Sequence, residues 1–187
     1  MMKTMGLLAG LLLMCGSAQA QTAKPADNAS IAKALDHSVA GVEGEFVSAA
    51  DAMPEDKFAF VPTNGEFKGV RTFAEQVKHV AAVNYMIGAA ILQEKPPVEL
   101  GGESGPDSVK SKAEIMKFLK DSFAYVHKAV GTINEANLLN PIKSPFGEGT
   151  TTRLAMATTV VGHCFDHYGQ MVEYLRMNGI VPPASRG

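Results

Sequence analysis

Apolar residues recur at intervals of three and four along most of the chain, which predicts amphipathic helices. The first such segment begins after Ser30, a good helix N-cap, and ends at Pro54. Its apolar positions are Ile31, Leu35, Val42, Phe46, Ala49 and Met53. The pattern predicts a helix with one buried stripe, which tertiary packing must hold because Gly41 and Gly44 lower its helix propensity.

Two capping boxes mark the start of two further helices. In such a box a hydroxyl and a glutamate each satisfy a free backbone N–H. The first box spans Thr72 to Glu75 and the second spans Ser111 to Glu114. The helix after the first is expected to stop before Pro96 and carries Phe73, Val77, Val80, Val83, Ile87 and Ile91. The helix after the second carries Ile115, Leu119, Val126, Val130 and Ile133.

A fourth helix is predicted from about Thr152 to Met177, where Asn178-Gly179 and two later prolines end it. We expect its inward positions to be Leu154, Val161, Phe165, Tyr168, Val172 and Leu175. Loops with proline and glycine join the segments, and no alternating run is long enough to predict a sheet. The expected fold is all-α, a four-helix bundle over residues 30–187, because each apolar stripe needs a partner surface.

The first twenty residues have the pattern of a cleavable export signal. Lys3 precedes an apolar run from Gly6 to Met14, and Ala18-Gln19-Ala20 provides small residues for signal peptidase. The run is shorter than the roughly 20 apolar residues that span a bilayer. We therefore predict a signal peptide over 1–20, a flexible leader over 21–29, and a periplasmic or secreted protein without stable membrane insertion. Lipid attachment at Cys15, disfavoured by the preceding Met14, and an uncleaved anchor are the alternatives.

Composition excludes several classes of protein. The 187 residues are 46% hydrophobic and 19% charged, which is too apolar for a disordered chain and suits one core. The net charge is −2, and loss of Lys3 with the signal peptide leaves sixteen basic and nineteen acidic residues. This charge balance does not predict the basic surface that nucleic-acid-binding proteins have. After cleavage Cys164 is the one cysteine, so no internal disulfide can form.

The positions of three histidines suggest a metal site. His163 and His167 are four residues apart in one predicted helix, hence roughly 6 Å apart on nearly the same face. Two such imidazoles can bind one ion, because metal–nitrogen bonds are about 2 Å long. His79 lies on the buried side of the second helix, where an unpaired imidazole is costly. A metal site with three histidine ligands would leave one coordination position open for water or substrate. The alternative is that each histidine lies in the core and makes its own separate hydrogen bonds.

The other two histidines and the motifs that do not occur limit which kind of metal site the sequence can form. His37 and His127 fall off the main stripes and are expected at the solvent edge. A His-Glu-x-x-His protease needs glutamate where Cys164 stands, and the paired Glu-x-x-His motifs of di-iron bundles do not occur. The c-type haem motif Cys-x-x-Cys-His is also missing.

Two segments resemble motifs of the DinB-like (DinB/YfiT-like) metalloenzyme superfamily. Residues 163–170 (HCFDHYGQ), continuing through 174–183 (YLRMNGIVPP), resemble its C-terminal signature, and residues 73–79 (FAEQVKH) resemble its second-helix motif. The resemblance implies a four-helix bundle, often dimeric, with one divalent ion bound by His79, His163 and His167. Some members are thiol-dependent transferases or maleylpyruvate isomerase-like enzymes, and most have no assigned activity. Zinc, nickel, iron or manganese is the implied ion.

The chain departs from the better understood members in two ways. An export signal separates it from the cytosolic thiol pool, and no residue stands out as a general base, so its catalytic residues are unknown. Gln170, one turn past His167, is expected to orient a ligand imidazole or a bound water. Asp166 points about 100° away from its neighbour His167, and Cys164 is expected simply to pack.

Three hypotheses follow. The first is an exported metal-dependent hydrolase or transferase acting on a small molecule. The second is a non-catalytic metal-binding module with a structural, storage or sensing role. The third is an interaction protein whose histidines belong to the core.

Overall fold

The computed structural model describes residues 30–186, so the predicted signal peptide and leader lie outside the described residues. Within this range the chain forms helices α1 (Ile31–Ala52), α2 (Phe73–Leu92), α3 (Lys112–Val130) and α4 (Arg153–Met177). Single 3-10 turns lie at Glu55–Lys57, Gly102–Ser104 and Pro183–Ser185. Strands β1 (Pro141–Lys143) and β2 (Thr150–Thr152) form an antiparallel hairpin before α4.

The helix starts are confirmed at the level of individual hydrogen bonds. At α2 the hydroxyl of Thr72 accepts from the Glu75 N–H at 3.2 Å, and the Glu75 carboxylate accepts from the Thr72 N–H at 2.7 Å. Ser111 and Glu114 form the same reciprocal pair at α3. Ser30 caps α1 through its side chain. These local sequence patterns therefore fix where the helices begin.

The helices pack in a ring in which α1 contacts α3 and α4, and α2 contacts the same two helices. Helices α1 and α2 thus lie across the diagonal, and their connection over residues 53–72 crosses one end of the bundle. Its Phe58 ring packs edge-on against Phe73 at 5.4 Å between centroids. The carbonyls of Phe58 and Phe60 accept from the first N–H groups of α2, which ties the connection to that helix.

The core is centred on α2. All apolar positions predicted for the second and third helices are buried, including Ile133 just past the end of α3. Val42, Phe46 and Ala49 of α1 and the following Met53 are buried as well. Helix α2 is buried around most of its circumference, because α3 and α4 cover two sides and the connecting segments cover others. None of the helices in the described residues combines the length and apolar character needed to cross a membrane.

Two expectations need correction. The all-α prediction missed the hairpin, which is only three residues per strand and whose strand residue Ile142 is buried. The predicted inward stripe of α4 was also largely wrong, since Phe165 is 44% exposed. The buried positions of α4 are Met156, Ala157, Val160, Cys164, His167, Met171, Tyr174 and Leu175. Large apolar side chains also mark the neighbouring stripe, whereas the interior stripe mixes large apolar residues with Ala157, Cys164 and His167.

Candidate metal centre

The candidate site lies on the seam between α2 and α4. From one end of the seam to the other, residue numbers rise along α2 and fall along α4, so the two helices are antiparallel. The contact pairs are Gln76 with Gln170, His79 with His163, Asn84 with Cys164, and Ile91 with Arg153. This packing brings the His79 side chain of α2 opposite the histidine pair of α4.

The three imidazoles predicted as ligands meet at one point. One ring nitrogen from each of His79, His163 and His167 lies within 4.8 Å of the other two. The ring centroids are 4.5 to 5.0 Å apart. The Nε2 atoms of His79 and His163 are 3.1 Å apart. At this distance a neutral His163 can donate from Nε2 to the His79 lone pair, and a cation held between the two nitrogens would replace that proton.

A backbone carbonyl fixes the tautomer of His79. Its Nδ1 donates to the carbonyl of Glu103 at 2.6 Å, and a carbonyl can only accept. The proton is therefore on Nδ1, and the Nε2 lone pair is free for a metal. The 3-10 turn that supplies this carbonyl lies tight against α2: a Cβ at Gly105, where φ is +78°, would come within 2.9 Å of Lys78 Cβ.

A chain of side-chain amides fixes His167 in the same way. Its Nδ1 donates to Gln76 Oε1 at 2.6 Å. The Gln76 amide donates to Gln170 Oε1 at 2.8 Å, and the Gln170 amide donates to Asp166 at 3.1 Å. Every bond runs in one direction toward the exposed carboxylate of Asp166. Gln170 therefore orients the imidazole through Gln76 rather than by direct contact.

His163 is held differently. Its Nδ1 is buried and has no hydrogen-bond partner among the described residues, so packing rather than an acceptor sets the ring orientation. The contact of its Nε2 with His79 is the one polar contact found for this ring in that part of the chain. We conclude that His163 is the least constrained of the three imidazoles.

Burial keeps the three imidazoles neutral. Desolvation, together with repulsion of the protonated form by His167 and His79, lowers the pKa of His163 to about 4. Desolvation likewise lowers the pKa of His167 to about 4 and shifts the pKa of His79 downward. The positive charge of Arg71 acts in the same direction on all three. Neutral imidazole is the form that binds a metal ion.

Comparison with known proteins places the chain in a family. The family model of the DinB superfamily matches residues 39–171, well over half of the chain and a range that includes all three histidines. The protein belongs to the DinB superfamily. No curated protein matches it in sequence.

Solved structures share the DinB-like fold at low sequence identity. A DinB-like protein from Bacillus cereus is 15% identical with a TM-score of 0.62, and the match covers 81% of this chain and 95% of that one. A DinB-like protein from Bacillus subtilis is 14% identical with a TM-score of 0.61, covering 78% and 92%. A conserved protein from Enterococcus faecalis is 15% identical with a TM-score of 0.63, covering 80% and 97%. These similarities establish the fold alone.

Two other candidates lie apart from the histidine cluster in this DinB-superfamily chain. Cys164 is buried, its Sγ lies 3.6 Å from Asn84 Oδ1, and burial raises the pKa of its thiol to about 12. A thiol in that state is a poor nucleophile, so the expectation that Cys164 packs is confirmed. Asp166 is exposed and contacts Gln170 rather than an imidazole.

Sequence reasoning missed two groups that orient the imidazoles. One is Gln76, which is buried on the apolar stripe between Phe73 and Val80. A polar residue on such a stripe is itself a sign of a buried hydrogen bond, so the pattern contained this information. The other is the Glu103 carbonyl, which depends on a loop conformation and leaves no comparable mark in the sequence.

The two remaining histidines differ from each other. His37 is exposed, as expected. His127 lies at the solvent edge as expected, with its side chain 25% exposed, but both ring nitrogens contact carboxylates of α1. The sequence interpretation missed these partners, Asp36 and Glu43, because they approach from another helix.

Proposed function

We propose that this protein binds one divalent metal ion through His79, His163 and His167 and acts on a small molecule by hydrolysis or group transfer. The observation that carries the proposal is the meeting of three neutral ring nitrogens within 4.8 Å of one another. Membership of the DinB superfamily supports it.

The donor set suits such an ion. Three imidazoles leave at least one coordination position for water or substrate, as catalytic sites do. An ion held there would supply a Lewis acid or lower the pKa of a bound water. Imidazole suits zinc, nickel, iron and manganese alike, so the ligands do not select among them.

The protein's own contribution is orientation. Glu103 and Gln76 hold Nδ1 of two ligands, so that the opposite nitrogens face the shared centre without searching other rotamers. Burial keeps protons away from those nitrogens near neutral pH. Both effects favour metal binding before any substrate arrives.

A non-catalytic metal module is the second candidate. The observation that favours it is the composition of the cluster, which within residues 30–186 contains histidines and no carboxylate that could act as a base. Chelation separates the two functions. A structural ion should raise the melting temperature greatly, whereas an open catalytic site should change it little.

The deciding experiment is metal analysis of the full-length protein after native purification, with His79→Ala and the exposed-histidine control His37→Ala. We expect about one equivalent of a divalent metal in wild type and control, and a large loss in His79→Ala. Less than about a tenth of an equivalent in wild type, with no uptake on titration of zinc or nickel, would favour the core-histidine hypothesis.

The location and assembly are proposed from the sequence. The pattern in residues 1–20, outside the described residues, supports export to the periplasm or beyond. N-terminal sequencing of the fractionated mature protein should find Gln21 first. A homodimer, proposed from the family resemblance, is checked by light scattering.

A further inference from the structure

A second polar cluster lies on the opposite side of the bundle, where α3 packs against α1. His127 of α3 stands between two carboxylates of α1 that are seven residues apart, and hence on one face of that helix. Its Nδ1 lies 2.6 Å from Asp36 Oδ1, and its Nε2 lies 2.9 Å from Glu43 Oε2. The imidazole thus connects two turns of α1 to one point of α3.

Only a protonated imidazole satisfies both contacts. A neutral ring carries one N–H and one lone pair, and the lone pair would face a carboxylate oxygen. The imidazolium donates from both nitrogens, which gives two charge-assisted hydrogen bonds. Burial lowers the pKa of His127, but the bonds to Asp36 and Glu43 outweigh it and raise the pKa above 6.5.

Other charged groups around the cluster do not replace these partners. Lys128, the next residue on α3, pairs with Glu94 at 3.3 Å. Lys120 of α3 lines the adjacent groove together with Glu43 and Asp51. On α1, His37 beside Asp36 is exposed. Helix α2 packs on the other side of α3. Its ionisable groups neither hydrogen-bond to His127 nor contribute to the shift of its pKa.

The link spans the part of α1 that contains two glycines. Gly41 and Gly44 lie near Glu43, and a Cβ at either position would meet nothing within 4 Å. Packing therefore does not require glycine there, and both residues lower the helix propensity of this stretch. Besides apolar burial, the His127 contacts hold α1 here, and both are satisfied only while His127 carries its second proton.

We propose that protonated His127, held by Asp36 and Glu43, is a pH-sensitive link between α3 and α1. The link is complete when the imidazole is charged and loses one hydrogen bond when it becomes neutral. Because the folded state binds the proton more tightly than the unfolded chain, the stabilisation is present below pH 6.5 and is lost as the pH rises through the folded-state pKa.

The direct test is NMR titration of the histidine ring protons in the full-length protein with EDTA, from pH 5 to 9. The His127 resonance is identified by its loss in His127→Gln. We expect its midpoint above pH 6.5 in wild type and a downward shift in both Asp36→Asn and Glu43→Gln. A wild-type midpoint at or below 6.5, or no shift in either variant, would overturn the proposal.

Thermal unfolding gives a second readout, again in EDTA so that bound metal does not contribute. His127→Gln should melt several degrees below wild type at pH 6, and the difference should shrink by pH 9. The exposed His37→Gln is the matched control and should show no such pH-dependent difference. A difference for His127→Gln of equal size at both pH values would mean that His127 only packs.

Discussion

Partly or fully buried histidines on two seams of this molecule have pKa values shifted in opposite directions. On the α2–α4 seam, His79 and His167 donate from Nδ1 to amide-type oxygens, and the pKa of each is lowered. On the α1–α3 seam, His127 contacts carboxylates through both nitrogens, and its pKa is raised. Burial lowers the pKa in both places, so the acceptors make the difference.

The acceptors also decide which histidines can bind a metal. A neutral carbonyl or amide oxygen holds one N–H and leaves the opposite lone pair free. Two carboxylates instead hold a proton on each nitrogen, and no lone pair remains for an ion. The distinction depends on the groups that other segments bring to each ring, and five histidines in a sequence do not reveal it.

The largest expected effect is loss of metal from the α2–α4 seam. Replacing both His163 and His167 with alanine removes two of three proposed ligands, and the remaining imidazole should hold no stoichiometric ion. Elemental analysis and zinc titration measure this. His127→Ala should keep the wild-type metal content, because His127 has no free lone pair. Equal metal loss in both proteins would contradict the comparison.

A smaller effect is expected from the amide that orients His167. Gln76→Leu removes the oxygen that accepts from His167 Nδ1. This change should weaken metal affinity by about 10- to 100-fold, as measured by competition with a chelating dye. Gln170→Ala removes a hydrogen bond to Gln76 rather than to His167 itself, so it should weaken metal affinity less than Gln76→Leu does.

Gln76→Glu is the matched substitution that moves His167 toward the His127 environment. A carboxylate at this position should raise the pKa of His167 in the metal-free protein while still orienting the ring. NMR titration and metal affinity together test this. If Gln76→Leu binds metal as tightly as wild type, Gln76 has no orienting role.

Acid should destabilise the metal-free protein through the same seam. The pKa of His167 is about 4 when folded and 6.5 in the reference state, so the unfolded chain binds the proton first as the pH falls. This group alone should reduce the free energy of unfolding by about 3 kcal/mol between pH 6.5 and 4. Urea unfolding in EDTA measures the slope, and His167→Gln should reduce it. The His127 link changes stability on the alkaline side instead.

The fold was largely predictable because its determinants are local. The capping boxes at Thr72 and Ser111 and the apolar stripes of α2 and α3 depend on residues within a few positions of one another. The hairpin was missed because three-residue strands give no periodicity. The α4 stripe was misassigned because large apolar residues such as Phe165 defined the predicted stripe, whereas His167 and Cys164 lie on the interior stripe.

The sequence predicted the three clustered histidines and singled out Gln170, but not the groups bonded directly to the rings. The spacing of His163 and His167 follows from helix geometry, and His79 shares the buried face of α2. The partners of the ring nitrogens come from elsewhere: Glu103 from a glycine-containing turn, and Asp36 from a helix on the far side of α3. No single-chain periodicity relates these positions, since tertiary packing alone brings them together.

The smallest expected effect separates helix propensity from the His127 link. Gly41→Ala and Gly44→Ala each place a methyl group where nothing lies within 4 Å, in an exposed part of α1. Each should stabilise the protein by about 0.5–1 kcal/mol, because alanine favours the helix and restricts the unfolded chain. The melting temperature should rise by roughly 1–4 °C in scanning calorimetry.

This gain should be the same at pH 6 and pH 9, because no proton is bound or released at either glycine. His127→Gln, by contrast, should lose stability mainly at the lower pH. If the alanine variants stabilised α1 only at high pH, propensity and the link would not be independent, and the glycines would have to act through the geometry of Asp36 and Glu43. Equal gains at both pH values would instead show that α1 is weak in two separable ways, one intrinsic to its sequence and one set by the charge of His127.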